Sequence, residues 1–442
     1  MTNQWLTMSM GDLGRGIGAG DIDPLALTET FLDAIKTHEF TDRIYARLTE
    51  SRALAEAAAA SKRAASGHRV GILDGVPISW KDLFDTAGVV TEAGSALLKD
   101  RVPTQDAAVL RNATAQGLIC LGKTHMSELA FSGLGLNPVT ATSPCVNDLE
   151  AVSGGSSSGA ATAVAFGLAA GAVGSDTGGS VRIPAAWNDL VGLKTSGGRL
   201  SSDGTVPLAP RFDTIGPLCR TVEDTALLLA ALEGGPAPDL RGASLKGVRL
   251  LVLENGLTDA RDQPRAGFDS ALGRLMDAGC IVKRAHLPIV DEALTMSGVL
   301  FTTEAYATWY DKIEAQPDLM FAEIRDRFRA GGQYTGVEFV RAWQRLDDIR
   351  KEYNAAVAGF DAVVLPTAPI MPPNVERLMT DHAYYIEENL MALRNTRIGN
   401  LMGSSGLTLP TGLPSTGILL HGAPMAEARL LRLGAAAEAV LA

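Results

Sequence analysis

The sequence predicts an α/β protein with a mostly parallel sheet, and three stretches carry that prediction. A helix over Ala107 to Gln116 ends at Gly117 and feeds the short apolar strand Leu118-Ile119-Cys120-Leu121. Residues 160 to 175 repeat the same helix-to-strand logic. Val248 to Leu253, a helix from about Ala266 to Ala278, and Cys280 to Val282 then form a β-α-β unit.

The remaining elements follow in order. Asp23 caps a first helix, Pro24 takes its first helical position, and Leu25 to Ile35 carries the apolar stripe. An alanine-rich helix runs through Leu54 to Ala65, and the stretch from Ser66 to Gly71 breaks it. A strand around Gly75 to Trp80 delivers Lys81 at its end. Gly234-Gly235-Pro236-Ala237-Pro238 interrupts the pattern; it reads as a surface crossing within one sheet, because the unit after it is too small to stand alone. Residues 290 to 358 are mainly helical. Their best helix opens at Thr335, where Thr-x-x-Glu with Glu338 makes a capping box, and carries Phe339, Trp343, Leu346 and Ile349 along one side. Asp361 to Leu365 and Leu407 to Pro410 are strands. The whole of 1–442 is expected to be one domain, with a core at about 70–220 and a more variable helical region at about 290–360.

Composition bounds the function. With 39 Lys and Arg against 50 Asp and Glu, the net charge of −11 provides no basic footprint for a phosphate backbone, so nucleic acid is not an expected partner. The same charge suggests a neutral or cationic substrate. The small-apolar run from Gly159 to Gly174 is shorter than the ~20 residues a membrane helix requires, and it reads as buried. The beginning of the chain, Met-Thr-Asn-Gln-Trp-Leu, has no basic region followed by an apolar one, so a cytoplasmic location is expected. Cys120, Cys145, Cys219 and Cys280 are scattered, which reads as reduced, structural thiols. The six histidines form no metal pattern, and neither a metal nor another cofactor is expected.

The chemistry gathers in two regions. Ser153-Gly154-Gly155-Ser156-Ser157-Ser158-Gly159 and Gly174-Ser175-Asp176-Thr177-Gly178-Gly179-Ser180 place serines at the glycine-rich ends of one apolar segment. Glycines there let backbone amides converge on a reacting oxygen. Upstream, Leu73-Asp74-Gly75-Val76-Pro77-Ile78-Ser79-Trp80-Lys81-Asp82 puts a lysine after apolar residues that can depress its pKa.

Taken together, Lys81, the Gly154 to Gly159 loop and Asp176-Thr177-Gly178-Gly179-Ser180 resemble the motifs of the amidase signature family, in the family's order and spacing. The resemblance is strongest from Gly75 to Ser201 and weak before about residue 25 and between about 290 and 360. It implies a large mixed sheet covered by helices on both faces. It also implies an amidohydrolase that cleaves a carboxamide-type C–N bond of a small molecule through an acyl-enzyme on Ser180. Ser156 would be the bridging acid/base, preceded by a cis peptide at Gly155-Ser156, and Lys81 the general base. Thr177, Gly178, Gly179 and Ser180 would offer backbone N–H groups as the oxyanion hole.

Lys123-Thr124-His125-Met126-Ser127-Glu128-Leu129-Ala130-Phe131 is similar to the family segment that lines the pocket. Met126, Phe131 and Gly133 are therefore the substrate-binding candidates, with Leu300, Tyr306, Trp309 and Tyr310 of the variable region supplying further pocket wall. Asp176 and Arg182 read as a structural ion pair, and Ser157 and Ser158 as local hydrogen-bond donors. Three alternatives stay open: a urea or carbamate hydrolase, the glutaminase subunit of a tRNA-dependent amidotransferase with partner subunits, and a homodimer. A rival reading takes Gly155-Ser156-Ser157-Ser158-Gly159 as a G-x-S-x-G elbow with Ser157 attacking. It requires a strand just before the loop and an Asp then a His after it. Leu149-Glu150-Ala151-Val152 is a poor strand, and His286, His382 and His421 sit in no recognisable motif.

Overall fold

The computed structural model describes residues 2–441. Met1, on which the reading of the chain's beginning partly rests, lies outside them. Thirteen strands are formed among the described residues: β1 Tyr45–Leu48, β2 Pro77–Lys81, β3 Ile119–Thr124, β4 Pro144–Cys145, β5 Asp148–Val152, β6 Gly171–Asp176, β7 Val191–Lys194, β8 Thr214–Cys219, β9 Arg249–Leu253, β10 Ile281–Ala285, β11 Ala362–Pro366, β12 Ser405–Pro410 and β13 Gly417–Gly422. Eleven of them make one mixed sheet in the order β1-β3-β2-β6-β8-β7-β12-β13-β11-β9-β10. The parallel ladders lie in two wings, β3-β2-β6 and β11-β9-β10. Antiparallel ladders join the wings through β8, β7, β12 and β13.

The expected elements are present where the local signals are strong. Asp23 caps Pro24–Thr37 by accepting the Ala26 N–H, and Thr335 and Glu338 close the capping box of Gly336–Val357. Ala108–Ala115 runs into β3, and the run after Ser157 divides into a helix, Ser158–Ala165, and the fully buried strand β6. After the Gly234 break the chain returns to the same sheet through β9, as a surface crossing would. Helices cover the sheet on both faces, with Arg182–Trp187, Val222–Glu233, Asp262–Asp277 and Glu427–Leu441 packing directly on its central strands. All four cysteines are free and buried. No described helix is long and apolar enough to cross a membrane.

One local reading is corrected. Asp148–Val152 is a strand, paired antiparallel with Pro144–Cys145 outside the main sheet. Its first three residues are exposed, so it lacks the continuous apolar run by which a buried strand is recognised.

The site is positioned by adjacent strand ends. β2 runs parallel to β6 with Ile78 opposite Gly171, Ser79 opposite Ala172 and Trp80 opposite Val173. Lys81 therefore ends its strand beside the end of β6, where Asp176-Thr177-Gly178-Gly179-Ser180 leaves the sheet. The loop carrying Ser156 crosses the same end before the helix Ser158–Ala165 begins.

Candidate active site

All five residues of β2 are buried, Lys81 completely. Its Nζ donates to Ser156 Oγ at 2.7 Å and to Ser175 Oγ at 2.8 Å. Burial pushes the lysine down to about 7, against the opposing pull of the Asp176 and Asp213 carboxylates. The Gly155-Ser156 peptide is cis, as the resemblance implies. The turn is held from outside by the Gly154 N–H to Leu134 O at 3.0 Å, the Gly155 N–H to Gly133 O at 2.8 Å and the Ser127 N–H to Ser156 O at 3.1 Å. A side chain at Gly155 would put its Cβ 2.5 Å from both the Gly135 nitrogen and Ser127 Oγ, so only glycine fits that turn.

Ser175 is a member of this group that sequence reasoning missed. A serine inside a strand carries no local signal of function; the parallel register of β2 and β6 brings its hydroxyl to the lysine.

Asp176 organises the second loop. Its Oδ1 accepts from Arg182 Nη2 at 2.8 Å, the Gly179 N–H at 2.9 Å and Asn400 Nδ2 at 3.0 Å. Its Oδ2 accepts from Arg182 Nε at 2.9 Å and the Val181 N–H at 3.1 Å. Burial alone would raise this carboxyl, but the Arg182 guanidinium, with help from the Lys194 ammonium and the Asn400 side-chain amide, holds it well below the usual carboxylate range. Arg182 also donates to Thr396 O at 2.8 Å and Asn400 Oδ1 at 2.6 Å. The expected ion pair is thus the hub that ties the loop to the helix His382–Met402.

Gly179 sits at φ +144°, and a Cβ there would lie 2.1 Å from Thr396 Oγ1, which restricts the position to glycine. Because its N–H already donates to Asp176, this amide differs from the other three expected of an oxyanion hole. Among the described residues the amides of Thr177, Gly178 and Ser180 make no protein hydrogen bond outside regular strand and helix pairing. The Thr177 hydroxyl is engaged with Asp213 Oδ1 at 2.6 Å.

Ser180 lines a cavity of about 340 Å³ with Thr177 and Gly178. Its hydroxyl makes no hydrogen bond to Ser156 among the described residues, whereas a bridging role for Ser156 implies one; the two loops meet through the Ser157 N–H, which donates to Ser180 O at 3.2 Å. The Ser157 hydroxyl faces elsewhere, donating to Ser175 O at 3.2 Å and accepting the Ser175 N–H at 3.3 Å. It serves as a brace between loop and strand, and nothing in that arrangement presents it for attack.

The pocket candidates fare unequally. Phe131 lines the cavity. Met126 is completely buried outside it, its carbonyl accepting from Asn137 Nδ2 at 2.7 Å, and the Gly133 N–H donates to Asn389 Oδ1 at 2.9 Å. These two lie outside the lining, which this segment supplies through Ala130, Phe131 and Ser132. The variable region does contribute, but through Ser297, Gly298, Phe301 and Thr302. Leu300 is core, the Trp309 indole donates to Pro207 O at 2.9 Å, the Tyr306 hydroxyl donates to Glu314, and Tyr310 is exposed. The opposite wall, unforeseen, comes from the helix His382–Met402 through Tyr385, Asn389, Leu393 and Arg397.

A buried lysine, two glycine-flanked serines and a cavity at the strand ends of this mixed sheet point to a hydrolase of the amidase class. The amidase family model matches residues 26–431, and the chain belongs to that family, whose members are amidohydrolases acting on C–N bonds. It is 34% identical to a 2-amino-5-chloromuconic acid deaminase of Comamonas testosteroni, over 98% of this chain and 96% of that protein. It is 32% identical to a glutamyl-tRNA(Gln) amidotransferase subunit of Thermosynechococcus vestitus, covering 89% and 88% of the two chains. Among solved structures, an amidase superposes with a TM-score of 0.88 at 30% identity, covering 98% of this chain and 100% of the other. The peptide amidase of Stenotrophomonas maltophilia superposes with a TM-score of 0.82 at 26% identity, covering 98% and 97%.

Proposed function

We propose that the chain, acting as one amidase domain, hydrolyses a carboxamide-type bond of a small molecule by covalent catalysis, with Ser180 as nucleophile, Ser156 as bridging acid/base and Lys81 as general base. The observation that carries this reading is the completely buried Lys81, pushed down to about 7 and 2.7 Å from Ser156 Oγ. A neutral amine has two N–H groups and one lone pair. At that distance it can accept the Ser156 proton while still donating to Ser175.

The steps follow from this geometry. Ser180 Oγ attacks the carbonyl carbon as its proton passes to Ser156 Oγ and the Ser156 proton passes to Lys81 Nζ. The oxyanion gathers the amides of Thr177, Gly178 and Ser180, with Gly179 divided between it and Asp176. Return of the proton through Ser156 to the departing nitrogen breaks the C–N bond and leaves an ester on Ser180. Water, deprotonated by the same route, then cleaves the ester. The direct approach of Ser156 to Ser180 belongs to the substrate-bound state, since catalytic hydrogen bonds tighten in the reacting complex.

The likeness to a tRNA-amidotransferase subunit supports a second reading, a glutaminase that works with partner subunits. The relative named as a deaminase of 2-amino-5-chloromuconic acid supports testing amino-substituted acids beside carboxamides. The purified chain, offered amides, ureas, carbamates, glutamine and amino-substituted acids, is expected to release ammonia or amine from small molecules unaided. Turnover of glutamine alone, and only with partner subunits, would favour the amidotransferase reading.

A further inference from the structure

The cavity beside Ser180 holds two arginines whose charge the protein leaves unanswered. Arg327, from the helix Ala322–Arg329, and Arg397, from His382–Met402, both line it. Neither forms an ion pair or a side-chain hydrogen bond among the described residues, and Nη1 of Arg327 is buried without a partner. The guanidinium of Arg327 lies 4.5 Å from the centroid of the Phe131 ring, which fixes its plane while leaving its donor edges unused. Burial pushes both arginines down, Arg327 to about 10 and Arg397 to about 9, and the proximity of Arg327 lowers Arg397 further.

The acidic residues of the same cavity do not answer these charges. Glu323 is paired with His382 at 2.5 Å, and Asp326 with Arg325 at 2.9 Å. Two guanidinium groups buried elsewhere in this acidic chain have partners of their own: Arg182 has Asp176, and Arg220 donates to a ring of backbone carbonyls. Two half-buried like charges facing one cavity without a counter-ion are unfavourable, and a planar fork of N–H donors is the group best matched to a carboxylate.

Resting on the amidohydrolase reading, we propose that the substrate is an anion, an amide whose acyl part carries a free carboxylate held by Arg327 and Arg397 while its carbonyl carbon meets Ser180. The wall between these ends is apolar, formed by Phe131, Phe301, Leu208, Leu390 and Leu393. It suits a short carbon chain, so the substrate class is the monoamide of a dicarboxylic acid. This proposal departs from the neutral or cationic substrate suggested by net charge. The overall charge describes the whole surface, whereas the cavity presents two cations locally.

The test compares monoamides of four- to eight-carbon α,ω-dicarboxylic acids with the matching neutral diamides. The acid amides are expected to show kcat/KM about 100-fold higher, the order of discrimination a charge-assisted two-point contact supplies. Arg327→Gln and Arg397→Gln should each collapse that ratio, mainly through KM. Adipate should raise the Tm of the wild-type chain and fail to do so for the double variant, a readout independent of turnover. Equal kcat/KM for the two series in an enzyme whose Ser180 still labels with a serine-directed phosphonate would overturn the anion site and leave the amidohydrolase reading standing. Adipate stabilisation that persists in the double variant would overturn it as well. Absence of phosphonate labelling would instead count against the catalytic assignment.

Discussion

Asp176 and Gly179 are joined by a 2.9 Å hydrogen bond from the glycine amide to the same carboxylate oxygen that receives Arg182. A buried ion pair therefore sets the backbone of the loop that presents Ser180. Replacing Arg182 by Lys keeps the charge but loses the two-point contact with Asp176 and the reach to Thr396 and Asn400. Each charge-assisted hydrogen bond so lost is worth about 1.5–3 kcal/mol. Denaturant unfolding should show a loss of that order, with slower phosphonate labelling of Ser180.

The same pair has a pH signature. Asp176 is held below its ordinary range when folded, so its contribution to stability is present above the ordinary carboxylate pKa and is lost as pH falls below it. Asp176→Asn should be less stable at neutral pH, and its stability should fall less steeply in acid than that of the wild type. Parallel acid-unfolding curves for the two proteins would contradict this.

Ser180→Ala should abolish covalent labelling by a serine-directed phosphonate. Ser157→Ala should keep measurable activity, since it removes only the brace to Ser175, worth about 1 kcal/mol per hydrogen bond. An inactive Ser157→Ala beside an active Ser180→Ala would revive the elbow reading.

Because Lys81 must be neutral to accept a proton, kcat/KM should rise with pH through an apparent pKa near the value of about 7 set by burial, then level off. Lys81→Arg should be inactive, as a guanidinium does not give up its proton in this range. An active, folded Lys81→Arg enzyme would remove the general-base role.

Ser175→Ala takes away a hydroxyl that favours the charged lysine. The acid limb of the profile should move to lower pH, with kcat reduced about 10-fold and KM little changed. An unmoved limb would mean that Ser175 only fills space.

Lys81, Ser156, Ser180 and the Asp176–Arg182 pair were legible before any fold was known, because each lies in a contiguous stretch whose glycines and serines have few other uses. The capped helices at Asp23 and Thr335 were legible for the same local reason. What escaped lies across the chain. The strand β5 was missed because half of it is exposed, and Ser175 because a strand serine looks alike whether or not a lysine faces it. Met126 and Gly133 sat in the right segment but lie outside the cavity, Met126 because its side chain turns into the core and Gly133 because its backbone is engaged with Asn389, neither of which spacing specifies. Arg327 and Arg397 stand on helices that look ordinary along the sequence. So the sequence by itself determined the candidate reacting groups, whose motifs are local. Only the tertiary structure decided the cavity wall, because its surface is made by residues far apart in the chain, and whether a charge there has a partner depends on packing alone.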